Sequence, residues 1–577
     1  MSRLLVPALL AAIGLVLWRG TWDAGWISED ASVVRHLSNE GALADWWRSQ
    51  YGMRTILFWR PLVSTTLWLQ LELFGPDPFA LRLFNAACQV AAGTLMFHLA
   101  RRMGCRWFAS LAAALLTLTF PHQGGTVTWV VGRVDSLCWP LMLGALLAVS
   151  HGRGRTAAVC AVLALATKEM AAALAPIAIV LAWTWPERPE RPEVVRAART
   201  LVVALVLAWL WRWISVGEFV GGYPGSVDFT SPLASLAAAF VVLGPVAFAL
   251  PFAAVLGRTS HVLEVRAIQV GLLGAAAALF VLMPLLVGGM QPEHLRWLAV
   301  PDGLVCLAWA GCCGRAPWTR EAPRVLPMGV LLLGTAVLIG VRSAQARDSV
   351  RTWAAAAGEV ADFVERVDTG RAALGLDGPS DLPVLVGAVP SLDASGTAYT
   401  LHFGLPDHFT SPIGDRRRGA NADDTRAVWA WKPLYPAARV DPPLGGPGAG
   451  FDPPLLDPAD LVATLEVEGP RSFFLAGEEV PDVRWRCPDD AAYALLVTPL
   501  GYDLATLPEQ GVRGYAPRAI FAEAAAATPL WRSLAFITDF GGREALLLFA
   551  TADGRVSEWV RVGWDEDAAR AFRANVR

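Results

Sequence analysis

Long apolar runs alternate with short polar stretches through the first 340 or so residues of the chain. A helix needs about 20 apolar residues to cross a bilayer. Eleven runs are candidate spans, and because several of them are shorter than this, some helices are expected to be tilted, kinked or extended into their polar flanks. The pattern predicts an all-α polytopic membrane domain of about eleven transmembrane helices. The predicted spans are 4–22, 79–100, 107–120, 134–149, 156–167, 170–185, 197–214, 232–256, 267–287, 297–313 and 325–341.

Arginine is concentrated in alternate loops between these spans. Short cytoplasmic loops carry an excess of Lys and Arg, so these loops and the N-terminus are assigned to the cytoplasm and residues 19–78 become a large first external loop. All the arginine-rich loops stay on the cytoplasmic side only if 62–74 is an interfacial helix and 156–185 is a hairpin of two short helices. Lys168 and Glu169 then lie at the outer tip of that hairpin. We interpret residues 4–22 as a retained helix, because no small-x-small cleavage site follows.

The composition changes after Arg342. A charged helical stretch at 344–367 is followed by short β-like runs at 383–389, 398–403, 493–498, 535–538, 546–550 and 559–564, separated by turns rich in Pro and Gly. We therefore expect two domains. A transmembrane domain at 1–343 is followed by a smaller extracytoplasmic domain at 344–577, with an α/β or mostly-β fold.

Polar residues at the ends of the predicted spans are the candidate functional residues, because charge beside hydrocarbon is costly. Glu29 and Asp30 form an acidic pair that suits a general base or a metal ion, or are two solvated loop acids. Arg133 suits a phosphate oriented by Asp135, or pairs with Asp135 at a helix start. The other candidate residues either hold the same anion or simply anchor their helix ends at the membrane interface. They are Arg60, Arg82, Lys168, Glu169, His294 and Arg296.

Composition and motifs exclude several other classes of function. Mean hydropathy is +0.43 and net charge only −3, which excludes a soluble enzyme and gives no basis for a polyanionic or nucleic-acid partner. There is no Walker or Rossmann glycine pattern and no His/Cys zinc spacing, so no metal site and no cofactor are predicted, although a divalent cation is compatible with the acidic pair. Cys487 is the only cysteine after residue 343, so that part holds no disulfide framework.

Several short blocks resemble the C-type (GT-C) glycosyltransferases, nearest the protein O-mannosyltransferase branch and its bacterial relatives. Trp26-Ile-Ser-Glu-Asp30 resembles the acidic pair of that family's first external loop, with Glu-Asp in place of Asp-Asp or Asp-Glu. The block from Gly132 to Leu137 is similar to one at the start of the family's fourth span, although Gln123 and Gly125 stand where the family has His and Glu. The other similar blocks are Trp59-Arg-Pro-Leu62, Arg82-Leu-Phe-Asn85, Thr167-Lys-Glu169 and Arg296-Trp-Leu-Ala-Val-Pro301.

This resemblance covers about residues 1–345. It implies an inverting enzyme that transfers a sugar, hexosyl or mannosyl in that family, from a polyprenyl-phosphate donor to a hydroxyl of a protein or glycan acceptor. Transfer would take place on the extracytoplasmic face, with a bacterial inner membrane as the expected location. Glu29 or Asp30 would be the base, and the basic candidates would hold the lipid phosphate. The alternatives are a non-catalytic or transport protein on the same scaffold and a polyprenyl-linked glycan ligase.

Overall fold

A computed structural model describes residues 4–49, 58–185, 189–217, 262–282, 292–313 and 325–373, the six strands given below, and a few residues between these segments. The predicted span 232–256 lies largely outside the described residues. The first six α-helices are α1 (Leu5–Leu17), α2 (Asp30–Glu40), α3 (Pro61–Phe74), α4 (Pro78–Arg102), α5 (Trp107–Leu118) and α6 (Arg133–Ser150). The next six are α7 (Gly154–Leu165), α8 (Leu174–Trp183), α9 (Arg191–Val216), α10 (Val262–Val281), α11 (Ala299–Cys312) and α12 (Val325–Ala373).

The helix ends follow from local sequence. Pro78 occupies the first turn of α4, and the Asp77 carboxylate accepts a hydrogen bond from the Phe79 N–H at 3.0 Å, which satisfies one of the free donors at a helix start. Pro61 likewise occupies the first turn of α3, where no side chain caps the helix. Gly217 ends α9 with φ of +82°, a left-handed conformation that glycine adopts without steric cost.

Apolar helices make up the first part of the structure. Among the described residues, five helices are long and apolar enough to cross a membrane, and five further apolar helices are shorter. The chain is therefore a multi-pass helical membrane protein. Close packing is visible between α10 and α11, where a Cβ at Gly271 would lie 2.6 Å from the Leu304 carbonyl oxygen, so only glycine permits this approach.

The stretch 156–185 forms two helices, α7 and α8, joined by a turn and a short 3₁₀ helix at Glu169–Ala173. The start of α7 and the end of α8, which are the two ends away from the connecting turn, lie close to each other. The Arg102 guanidinium donates to the Ser150 carbonyl at 2.8 Å, just before α7. It also lies 5.1 Å from the centre of the Trp185 ring, just after α8, and donates to the Glu190 carboxylate at 2.8 Å, just before α9. This geometry confirms the predicted hairpin and places Lys168 and Glu169 at its opposite tip.

The last predicted span and the charged stretch after it form one continuous helix, α12. The predicted boundary between the two domains lies at residue 343, where the composition changes. The helix continues because residues 341–357 contain neither Pro nor Gly and are rich in strong helix formers. The chain divides into two compact units, residues 1–24 with 33–355 and residues 25–32 with 356–577, so the division falls inside α12.

Among its described residues, the second unit contains two sheets. Strands β1 (Val384–Gly387) and β2 (Ala427–Ala430) pair in parallel. A four-stranded sheet is formed by β3 (Ser472–Leu475), β4 (Ala491–Val497), β5 (Glu544–Thr551) and β6 (Val560–Trp564), in the order β3-β6-β5-β4. Four of the predicted runs coincide with β1, β4, β5 and β6. The sequence pattern did not predict β2 and β3. The predicted runs at 398–403 and 535–538 lie outside the described residues, except for residue 398.

Candidate functional site

Asp135 is shared by two basic side chains. It lies in the first turn of α6, where the helix dipole favours an acid. Its Oδ1 accepts a hydrogen bond from the Lys168 ammonium, and its Oδ2 lies 3.3 Å from Nε of Arg296. Lys168 comes from the hairpin tip and Arg296 from the 3₁₀ helix Pro292–Leu298 before α11. One carboxylate thus joins three helix ends that are distant in sequence.

Glu169 is shared in the same way by two arginines. Its carboxylate lies 3.7 Å from Nη2 of Arg60 and 3.9 Å from Nε of Arg212. Both distances exceed that of a direct hydrogen bond, so these are loose ion pairs. Arg60 is held near the hairpin tip because the Leu62 N–H donates to the Ala166 carbonyl at 3.0 Å.

Together these six residues form a site that we call the charge cluster. Its four basic and two acidic side chains leave an excess of two positive charges. All are largely shielded from solvent, from a fully buried Arg212 to a Glu169 side chain that is 21% exposed. Because charges interact strongly when water is excluded, the cluster favours a bound anion. Its members are Arg60, Asp135, Lys168, Glu169, Arg212 and Arg296.

The electrostatics are most evident at Lys168, in the turn between α7 and α8. Burial lowers the pKa of its ammonium, Arg296 and Arg60 lower it further, and Asp135 opposes the shift. The ammonium lies 5.4 Å from the centre of the Trp297 ring, a cation–π distance. His294 is stacked on the same ring at 4.2 Å, so it adjoins the cluster through Trp297.

Two predicted phosphate ligands, Arg82 and Arg133, make other contacts. The buried Arg82 donates to the carbonyls of Thr128 and Ala24. Arg133 donates from Nη2 to the Leu81 carbonyl at 2.7 Å and from Nε to Oδ1 of Asn85 at 3.0 Å. These bonds fix the segment before α6 against α4. A role for either arginine in donor binding stays a prediction.

The predicted acids Glu29 and Asp30 belong to the second compact unit. Asp30 is fully buried at the start of α2, and its carboxylate accepts a hydrogen bond from the Ile27 N–H at 3.2 Å. The Ser28 hydroxyl donates to the Glu29 carboxylate. Ser28 has φ of +53°, a left-handed conformation that is uncommon outside glycine and often marks a functional turn. The pair is therefore held in a defined turn.

Sequence reasoning missed Arg212 of the charge cluster. The available signal was an arginine inside the apolar run 201–214, flanked by Trp209, Trp211 and Trp213. It also missed a buried ion pair in which Arg342 donates to Oδ1 and Oδ2 of Asp302 at 2.9 and 2.6 Å. Both arginines fall within predicted spans or at their ends, where a charge requires a partner.

Metal binding finds no support in the part of the chain that the structure describes, where no group of three or more His, Cys, Asp or Glu side chains is placed to hold an ion. The charge cluster is instead suited to an anion.

Comparisons with known proteins give a distant likeness. No family model and no curated protein matches the chain. Among solved structures, the chain is similar to ArnT from Cupriavidus metallidurans bound to undecaprenyl phosphate, with a TM-score of 0.43 and 17% sequence identity, over 70% of this chain and 85% of that one.

Proposed function

We propose that the protein is a membrane glycosyltransferase that uses a polyprenyl-phosphate-linked sugar as its donor. The observation that carries the proposal is the charge cluster, with its excess of two positive charges. A cationic site buried among membrane helices favours an anionic ligand, and a lipid phosphate is one that enters from the bilayer. The sequence blocks that resemble C-type glycosyltransferases contribute five of the six residues in this cluster.

The chemistry follows from the charges. In the proposed reaction an acceptor hydroxyl attacks the anomeric carbon of the donor, the bond from that carbon to the phosphate oxygen breaks, and the configuration inverts. Glu29 or Asp30 takes the hydroxyl proton, which is worth about 10²–10⁴-fold in rate. The leaving polyprenyl phosphate retains the bonding electrons, and Arg296, Lys168 and Arg60 stabilise its negative charge.

The acceptor is a protein or glycan hydroxyl on the extracytoplasmic face in this proposal. The arginine distribution supports that assignment, because it favours an outer position for the hairpin tip and with it the charge cluster.

A transfer assay tests the proposal. The full-length protein is purified, reconstituted in liposomes and supplied with polyprenyl-phosphate sugars, each radiolabelled in the sugar, together with membrane protein and glycan acceptors. We expect label to move to an acceptor from at least one donor, and the double variant Glu29→Gln/Asp30→Asn to lose transfer. Donor binding without transfer by the wild type across the panel would favour a transport or non-catalytic protein instead.

A further inference from the structure

The long helix α12 contacts the segment before α6 through two residues. The Ser349 hydroxyl accepts a hydrogen bond from the Gly124 N–H at 3.0 Å. One turn further on, the Trp353 ring stacks on Trp129, with ring centres 5.8 Å apart and planes inclined by 29°. Both tryptophans are buried. An aromatic pair of this kind contributes more than its buried area alone.

Trp129 also contacts the charge cluster, because the Arg296 guanidinium carbon lies 4.8 Å from the centre of its ring. This is within cation–π range. The planar guanidinium thus has a rigid aromatic surface on one side and the Asp135 carboxylate within 3.3 Å of its Nε. Trp353 in turn restrains the surface on which Arg296 lies.

The backbone at Gly124 and Gly125 shows how tightly these groups are packed. A Cβ at Gly125 would lie 3.0 Å from Cδ of Arg296 and 3.1 Å from the Trp353 ring. A Cβ at Gly124 would lie 2.3 Å from the Trp353 ring. Arg296 and Trp353 therefore meet the same stretch of backbone, and a larger residue at either glycine would displace one of them.

We propose that Trp353 is a positioning residue for Arg296, acting through Trp129 and through the packing against Gly125. Its consequence for donor binding rests on the proposed function of the charge cluster, whereas the coupling between the two side chains does not. The loss of the Trp353 ring frees Trp129 to change orientation, and Arg296 then loses part of its geometry toward a phosphate. Residues of α12 that follow its predicted span thereby set the strength of the anion site.

Binding of undecaprenyl phosphate to the purified full-length protein in detergent tests this inference. We expect Trp353→Ala to weaken binding about three- to tenfold, the range of one aromatic or cation–π contact, and Trp353→Phe to retain most of the affinity. Trp309→Ala, at a buried tryptophan within α11, is the control for general destabilisation, and Arg351→Gln, on an exposed face of α12, is the control for the helix. Unchanged affinity in Trp353→Ala, or an equal loss in Trp309→Ala, would overturn the proposal.

A second measurement separates this inference from the proposed function. Melting temperatures are compared for the wild type, Trp353→Ala, Arg296→Ala and the double variant. Direct coupling makes the double variant lose less than the sum of the two single losses. Additive losses contradict the positioning role whether or not the protein binds a lipid phosphate. Non-additive losses in a protein that does not bind undecaprenyl phosphate retain the coupling between the two residues and reject the function proposed for the cluster.

Discussion

Nε of Arg296 lies 3.3 Å from Oδ2 of Asp135, and the other oxygen of that carboxylate accepts a hydrogen bond from the Lys168 ammonium. A single acid between two cations holds both in place. The same arrangement recurs at Glu169, between Arg60 and Arg212. Because Lys168 and Glu169 are consecutive residues, the two triplets adjoin at one hairpin tip, and their joint excess of positive charge underlies the predictions below.

Arg296 and Arg133 should differ in what their loss affects. Arg296→Ala removes a charged group from the cluster, so undecaprenyl phosphate affinity should fall roughly ten- to a hundredfold, the equivalent of about 1.5–3 kcal/mol. Arg133→Ala removes bonds to the Leu81 carbonyl and Asn85, so it should mainly lower the melting temperature. Affinity and thermal stability measured on the same preparations separate these effects. A large affinity loss in Arg133→Ala with normal stability would place Arg133 at the phosphate instead.

The charge of the Arg60–Glu169–Arg212 triplet predicts effects of opposite sign. Arg212→Gln reduces the positive excess and should weaken phosphate binding roughly five- to tenfold, whereas Glu169→Gln raises it and should leave binding unchanged or tighter. Arg102→Gln lies at the ends of α7 and α8 away from the charge cluster. It serves as the control and should leave phosphate binding unchanged. Weaker binding in Glu169→Gln than in Arg212→Gln would show that Glu169 acts by orienting the arginines rather than through its charge.

The acidic pair is predicted to act in turnover. Glu29→Gln and Asp30→Asn preserve size and remove basicity, so at least one of them should lower sugar transfer by about 10²-fold or more, with donor affinity largely retained. The loss of charge at buried Asp30 also weakens its hydrogen bond from the Ile27 N–H, so the melting temperature is measured in parallel. Near-normal turnover in both single variants and the double variant would remove these residues from the chemistry.

The arginine distribution predicts the side of the membrane at which each helix end lies. In a Cys487→Ser background, Arg351→Cys should react with an impermeant maleimide from outside, and Arg196→Cys should react only after the membrane is permeabilised. The cysteines at positions 88 to 313 are buried or half-buried, which keeps their labelling slow. The reverse pattern would invert the topology and place the charge cluster on the cytoplasmic face.

Hydropathy predicted the apolar helices that the structure describes in the membrane domain, and together with arginine counting it predicted two helices within 156–185. The count of eleven spans and their orientation stay predictions. For the charge cluster, the sequence predicted only that the helix ends carrying these residues lie on the same face of the membrane. The pattern does not show which acid contacts which cation. It predicts that Asp135 orients a phosphate at Arg133 or pairs with Arg133, whereas the structure places Asp135 against Lys168 and Arg296. Arg212 was missed because it lies in α9, whereas its partner Glu169 lies in the turn between α7 and α8. A contact between two such elements leaves no periodic pattern in the sequence.

The measurement that tests the central claim most directly compares two lipids that differ by one group. Undecaprenyl phosphate and undecaprenol are titrated against the purified full-length protein in the same detergent, and against the double variant Lys168→Met/Arg296→Ala. We predict that the wild type binds the phosphate at least tenfold more tightly than the alcohol and that the double variant loses this preference. Equal binding of the two lipids by the wild type, or an undiminished preference in the double variant, would contradict the assignment of the charge cluster as the lipid-phosphate site.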